Sequence, residues 1–121
     1  MAQKIQKTNP LLIDLINQLK KEAQEKNKPL WKDVALRLQK SQKNWPEVTL
    51  KRIDKHVNEK ETALVPGKVL STGELNKKIP VAAWKFSDRA KQKIADAGGK
   101  TMTIEELLKK NPEAKNIRIV G

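Results

Sequence analysis

The chain has 121 residues and carries 26 Lys and Arg against 14 Asp and Glu, a formal net charge of +12. That length suits one core hiding roughly two-thirds of the unfolded surface, and 37% apolar with 3% aromatic residues gives a small aliphatic interior rather than a disordered tail. The absence of cysteine excludes a disulfide framework, a thiolate metal site and a cysteine nucleophile, while the charge points to a polyanionic partner.

Met1 to Lys7 lacks the apolar run of a signal peptide, and no stretch reaches the uncharged length of a transmembrane helix, so a cytosolic protein with no membrane partner is expected. Asn9 and Pro10 read as the N-cap and first residue of a helix whose apolar stripe is Leu12, Leu15, Ile16, Leu19 and Ala23. Asn27-Lys28-Pro29 breaks it. A second amphipathic helix with Trp31, Val34, Ala35 and Leu38 runs to about Gln39, and the two are expected to pack as a hairpin. Lys40 to Pro46 has no apolar period and reads as an exposed basic connection. Val48 to Val57 reads as an extended piece running into a helical turn with Ile53 and Val57.

Thr62-Ala63-Leu64-Val65 and Lys68-Val69-Leu70 read as two extended pieces separated by a break at Pro66-Gly67, the second stopping at Ser71-Thr72-Gly73. A strand over residues 79–86 follows. Ser87 then caps a helix packed through Ala90, Ile94 and Ala97 and closed by Gly98-Gly99, where at least one glycine should take a positive φ. Thr103-Ile104-Glu105-Glu106 has the spacing of a capping box and opens a helix with Ile104, Leu107 and Leu108 inward. Asn111-Pro112 ends it, and Ile117 to Val120 is a last strand.

Gly99-Lys100-Thr101 imitates the end of a phosphate-binding loop, but Ile94 stands where the first glycine belongs and the triplet follows a helix, so a helix C-cap fits better. Gly67-Lys68-Val69 lacks the hydroxyl, has Thr62 in place of the leading glycine, and reads as a turn. His56, the sole histidine, sits among Asp54, Lys55 and Glu59, where an exposed helical position is expected. General acid and base work needs two converging groups, and adjacent Glu105 and Glu106 diverge on a helix. Ser41, Ser71 and Ser87 lie in no hydrolase motif, and the carboxylates are too scattered to hold a metal. No catalytic residue, metal, cofactor or small-molecule substrate is assigned.

Residues 1–40, 41–80 and 81–121 are each net positive, and 22 Lys against 4 Arg suits phosphate contact over the reading of base edges. The candidate contacts are Lys4, Lys7, Lys40, Lys43, Lys68, Lys77, Lys78 and Lys100, all in expected termini, loops or turns. Gly67 joins them because a glycine beside Lys68 lets the backbone approach a phosphate. Trp31, Trp84 and Phe86 are expected in the core. Trp45, between Lys43-Asn44 and Pro46, has two roles open to it, covering a helix end or stacking on a nucleotide. A basic architectural DNA-binding protein is the alternative that the charge allows, although it would favour a symmetric dimer or an Arg-rich groove element.

Val65-Pro66-Gly67-Lys68-Val69-Leu70-Ser71-Thr72-Gly73-Glu74-Leu75, then Val81-Ala82-Ala83-Trp84-Lys85-Phe86-Ser87, then Lys93-Ile94-Ala95-Asp96-Ala97-Gly98-Gly99, taken in order, resemble the family of large-subunit ribosomal protein eighteen of archaea and eukaryotes. Thr8-Asn9-Pro10-Leu11, the Trp-x-x-Val-Ala pattern from Trp31 to Ala35, and the closing Asn-Pro with its short strand fit the same family, so the resemblance spans residues 8–121. Lys68 to Gly99 is also similar to bacterial large-subunit protein fifteen, of the same fold superfamily. The chain departs from its relatives where they carry an arginine cluster, having Lys40-Ser41-Gln42-Lys43-Asn44-Trp45 there. It stops at Gly121 where eukaryotic versions continue, so an archaeal source is expected.

The resemblance implies an α/β fold in which an N-terminal helical part precedes an irregular β-β-α superhelical core with short strands. It implies a structural, non-catalytic role in the cytoplasmic large ribosomal subunit, binding folded ribosomal RNA through lysine-rich loops and touching neighbouring large-subunit proteins. Residues 1–121 are expected to form one ribosomal-protein domain, with 1–8 a basic arm that orders on RNA.

Overall fold

The computed structural model describes residues 9–40 and 45–121. In chain order these form α1 (Pro10–Glu25), α2 (Pro29–Leu38), β1 (Glu47–Thr49), α3 (Leu50–His56), β2 (Thr62–Leu70), β3 (Pro80–Phe86), α4 (Asp88–Asp96), β4 (Lys100–Thr103), α5 (Ile104–Lys110) and β5 (Ile117–Ile119).

The helices start where side chains satisfy their free amides. Asn9 Oδ1 accepts the Leu11 amide at 2.9 Å, and Pro10 fills a position whose N–H has no helical acceptor to lose. Ser87 caps α4 through the Ala90 amide at 3.2 Å. Thr103 and Glu106 form the expected capping box, with Glu106 N–H donating to Thr103 Oγ1 at 3.1 Å and Thr103 N–H to Glu106 Oε1 at 3.2 Å. Gly98, at φ +85°, closes α4 in the left-handed conformation that glycine adopts without strain.

Leu12, Leu15, Ile16 and Leu19 of α1 are buried with Trp31, Val34, Ala35 and Leu38 of α2 in one cluster, so the helical hairpin forms as the two stripes require. Fully burying a leucine or isoleucine of this kind stabilises by about 1.5–3 kcal/mol. Trp31, with no exposed surface, sends its indole N–H to the Pro112 carbonyl at 2.8 Å, which joins the hairpin to the segment after α5.

Among the described residues every strand pairing is parallel, in the order β1-β2-β3-β4 with β5 also beside β2. β3 follows β2 from Ala63 opposite Val81 to Val69 opposite Phe86. The other edge of β2 is divided: β5 pairs with Thr62 to Leu64, and β1 with Lys68 to Leu70. Pro46, just before β1, and Gly121, just after β5, abut at the junction.

Pro66-Gly67 is not the break expected of it. β2 runs without interruption from Thr62 to Leu70, and the two residues lie in a register shift between Val65 and Lys68. Proline has no amide for a ladder, so locally it reads as a stop, but partners on both edges carry the strand across it as a bulge.

The sheet lies between two layers of helix. Val48, Ala63, Val65, Val69, Val81 and Ala83 face Ile53 of α3 and Ala90 and Ile94 of α4. Leu64 and Ala82 face α1, α2 and α5. Burial on both faces explains why β2 reads as an apolar run rather than an alternating one. The expected α/β fold with an N-terminal helical part is thus present, its short strands joined in a parallel sheet.

Candidate nucleic-acid interface

In a parallel sheet the strands' carboxyl ends lie on one rim, where ligands of open α/β sheets gather. On this rim Lys68 of β2 is the register partner of Lys85 of β3, and both side chains are exposed. Like charges directly opposed on neighbouring strands destabilise the pair. Neither lysine has an ion pair among the described residues, whereas Lys21, Lys28, Arg37, Lys93, Lys109 and Arg118 each lie within 4.0 Å of a carboxylate oxygen. Glu47 of β1 is the partner of Lys68 on its other edge but forms no ion pair with it within 4.0 Å, so this rim holds two adjacent cations facing one carboxylate, an excess of positive charge that bound phosphate would neutralise.

Two open depressions flank the pair. One, of about 400 Å³, lies between Lys68, Lys85, Trp84, Lys91 of α4 and Glu106 of α5. The other, of about 310 Å³, shares Lys68, Trp84 and Lys85 and is completed by Trp45, Pro46 and Gly67. Trp45 meets Trp84 edge to face, with ring centroids 6.0 Å apart and planes at 80°. Its indole N–H donates to the Lys40 carbonyl at 3.0 Å, just beyond α2. Of the two roles open to Trp45, covering the helix end is seen here. Trp84 and Phe86, expected in the core, are half-buried.

The lysines singled out by sequence do not converge on one site. Lys4, Lys7 and Lys43 lie outside the described residues. Lys40 is exposed after α2. Lys68 and Lys100 stand in strands rather than loops or turns, because pairing with β3 supplies the order that their local sequence lacks. Lys100 is the partner of Pro80 at the start of β3, so it lies at the amino end of the sheet, across from Lys68. Lys78, exposed, precedes β3 at the same end.

Lys77 has turned inward. Its ammonium donates to the Asp54 carbonyl at 2.6 Å and to the Val57 carbonyl at 3.2 Å, closing the last turn of α3, where orphan carbonyls attract a cation. Gly67 is also spoken for: it is buried in β2, and a β-carbon there would collide with the Pro46 carbonyl oxygen. Its missing side chain admits this protein's own backbone. Lys85 and Lys91, which the sequence reading missed, complete the carboxyl rim. Lys85 was hidden between two aromatics, and only strand register sets it beside Lys68.

Elsewhere, Glu61 accepts the Asn58 amide at 3.0 Å and pairs with Arg118 of β5 at 3.2 Å. The Asn58 hydrogen bond, and then Arg118, hold its carboxyl below the ordinary value, with partial desolvation opposing them. His56 is exposed at the end of α3, as expected. Among the described residues no three His, Cys, Asp or Glu side chains group as metal ligands, and no helix is long and apolar enough to cross a membrane.

Comparison with known proteins agrees with the resemblance carried by the motifs. The model of a family described as "Ribosomal protein 60S L18 and 50S L18e" matches residues 2–120. The "Large ribosomal subunit protein eL18" of Methanothermobacter thermautotrophicus is 44% identical over 120 residues, covering 99% of each chain. Proteins of the same name from Methanosphaerula palustris and Archaeoglobus fulgidus are 45% identical over 120 residues and 43% identical over 116. With a match that runs nearly end to end and relatives of equal length, the chain belongs to this family of ribosomal proteins.

Proposed function

We propose that the chain is a structural constituent of the large ribosomal subunit in the cytoplasm, where it binds folded ribosomal RNA through phosphate contacts and touches neighbouring large-subunit proteins. Membership of the family supports a structural component rather than an enzyme. The observation that carries the RNA contact is the adjacent Lys68 and Lys85 pair, neither lysine in an ion pair among the described residues, with Lys91 across the adjoining depression. Phosphates set against these ammonium groups release counterions and relieve the repulsion between them. Lys78 and Lys100 offer a second contact at the amino end of the sheet. Lys4, Lys7, Lys40 and Lys43 supply further cations for phosphate.

The test is sedimentation of large subunits through sucrose at rising salt. The wild-type chain should travel with the subunit, and the double substitution Lys68→Glu with Lys85→Glu should leave it at a lower salt concentration. Absence of the wild-type chain from the subunit fraction defeats the reading. Equal retention of the double variant at every salt concentration removes this rim from the interface.

A further inference from the structure

Among the described residues the three indoles are not equivalent. Trp31 and Trp45 give their N–H groups to the carbonyls of Pro112 and Lys40, while the N–H of half-buried Trp84 has no protein acceptor. Trp84 is also the wall common to both depressions, and both contain Lys68 and Lys85. An aromatic plane with a spare donor therefore stands beside two spare cations, in concavities at the lower end of the size range of small-ligand clefts.

We propose that this rim holds a single unstacked nucleotide of the RNA, its base against the Trp84 indole and its phosphate between Lys68 and Lys85. The inference rests on the RNA-binding reading above and names the RNA feature recognised. A paired helix offers phosphates to the lysines but keeps its base faces covered, so it would leave the indole unused. An extruded base has an open π-face, and stacking on an aromatic side chain strengthens binding by about tenfold per base. The indole N–H, lying in the ring plane, is left as a donor for a ribose or phosphate oxygen beside the stacked base. Local charge favours the anion: Glu47, the partner of Lys68 on β1, and Glu106 also line the depressions, but Glu106 is engaged by the Thr103 amide, and Lys68, Lys85 and Lys91 outnumber the carboxylates.

The test uses the full chain, its tryptophan fluorescence, and two probes: a single-stranded hexa-adenylate RNA and a fully paired twelve-base-pair RNA. The single strand should quench the emission, and the duplex should bind in a salt-dependent manner with little quenching. Trp84→Phe should abolish most of the quench, and Trp84→Ala, which removes the aromatic face, should weaken the single strand about tenfold. Lys68→Gln with Lys85→Gln, on exposed side chains that leave the core intact, should weaken it at least tenfold and lower its salt dependence. No quench by the single strand, quenching that survives Trp84→Phe, equal quenching by duplex and strand, or unchanged affinity in the double glutamine variant overturns the proposal. A wild-type chain that sediments with large subunits yet gives one of these results defeats this inference alone; one that does not sediment defeats the functional reading beneath it.

Discussion

The Pro46 carbonyl oxygen occupies the space that a β-carbon on Gly67 would need, and it accepts the Lys68 amide at 3.1 Å. The bulge of β2 and the entry to β1 are therefore one packed unit. Gly67→Ala must push β1 aside or open that hydrogen bond, and forcing extra volume into a packed region costs about 1–3 kcal/mol. Urea denaturation of the free chain should show the loss. An unchanged midpoint would mean that β1 yields freely and that Gly67 is not needed for the approach.

Lys68→Glu should separate binding from stability. It makes an opposite-charge pair with Lys85 and a like-charge pair with Glu47, two cross-strand effects of opposite sign worth roughly 0.2–1 kcal/mol each. The melting temperature of the free chain should therefore change little while affinity for ribosomal RNA falls. A variant that loses stability along with binding would assign Lys68 to the fold.

Lys77 and Lys78 are neighbours with opposite expectations. Lys77→Ala leaves the Asp54 and Val57 carbonyls without their charged donor, a loss of about 1.5–3 kcal/mol for hydrogen bonds of this type. Lys78→Ala, at an exposed position, should stay within about 0.5 kcal/mol. Thermal denaturation of the two variants side by side gives the comparison, and equal effects would contradict the capping role.

Glu61 makes part of the stability depend on pH. Its carboxyl is held below the ordinary value of 4.5 by the Asn58 amide and then by Arg118, so the folded state binds its proton less readily than the unfolded state. The stabilisation is complete above the unfolded value and disappears as the pH falls through the folded one. Wild type and Glu61→Gln should therefore differ by a constant amount near neutrality, and the gap should close as the pH drops below 4.5. A gap independent of pH throughout the acid range would show that Asn58 and Arg118 do not favour the ionised carboxylate.

Local chemistry made much of the fold readable. Asn9, Ser87 and Thr103 announce helix starts because capping needs a short polar side chain, and Gly98 announces an end because few other residues accept its φ. Pro66-Gly67 misled for the same reason. Its local preference is for a turn, and the forces that straighten it come from β3, β1 and β5, strands distant in sequence. The candidate interface was the least legible part, since a lysine's type says nothing of its direction. Lys77 and Lys78 are indistinguishable until α3 supplies carbonyls to one of them, and Lys85 becomes a partner of Lys68 only through register.

The divided edge of β2 has a consequence for biosynthesis. Thr62 to Leu64 obtain their second neighbour from Ile117 to Ile119, so a growing chain can build α1 to α5 while this ladder is still incomplete. Until β5 emerges, an apolar strand has open amides and carbonyls, the condition under which another chain can pair in its place. Chains ending at residue 116 should form larger species in a concentration-dependent manner in light scattering, while the full chain remains monodisperse; equal behaviour would show that β2 is guarded by other means. In the finished chain β5 occupies that edge of β2, which an unfinished chain leaves open.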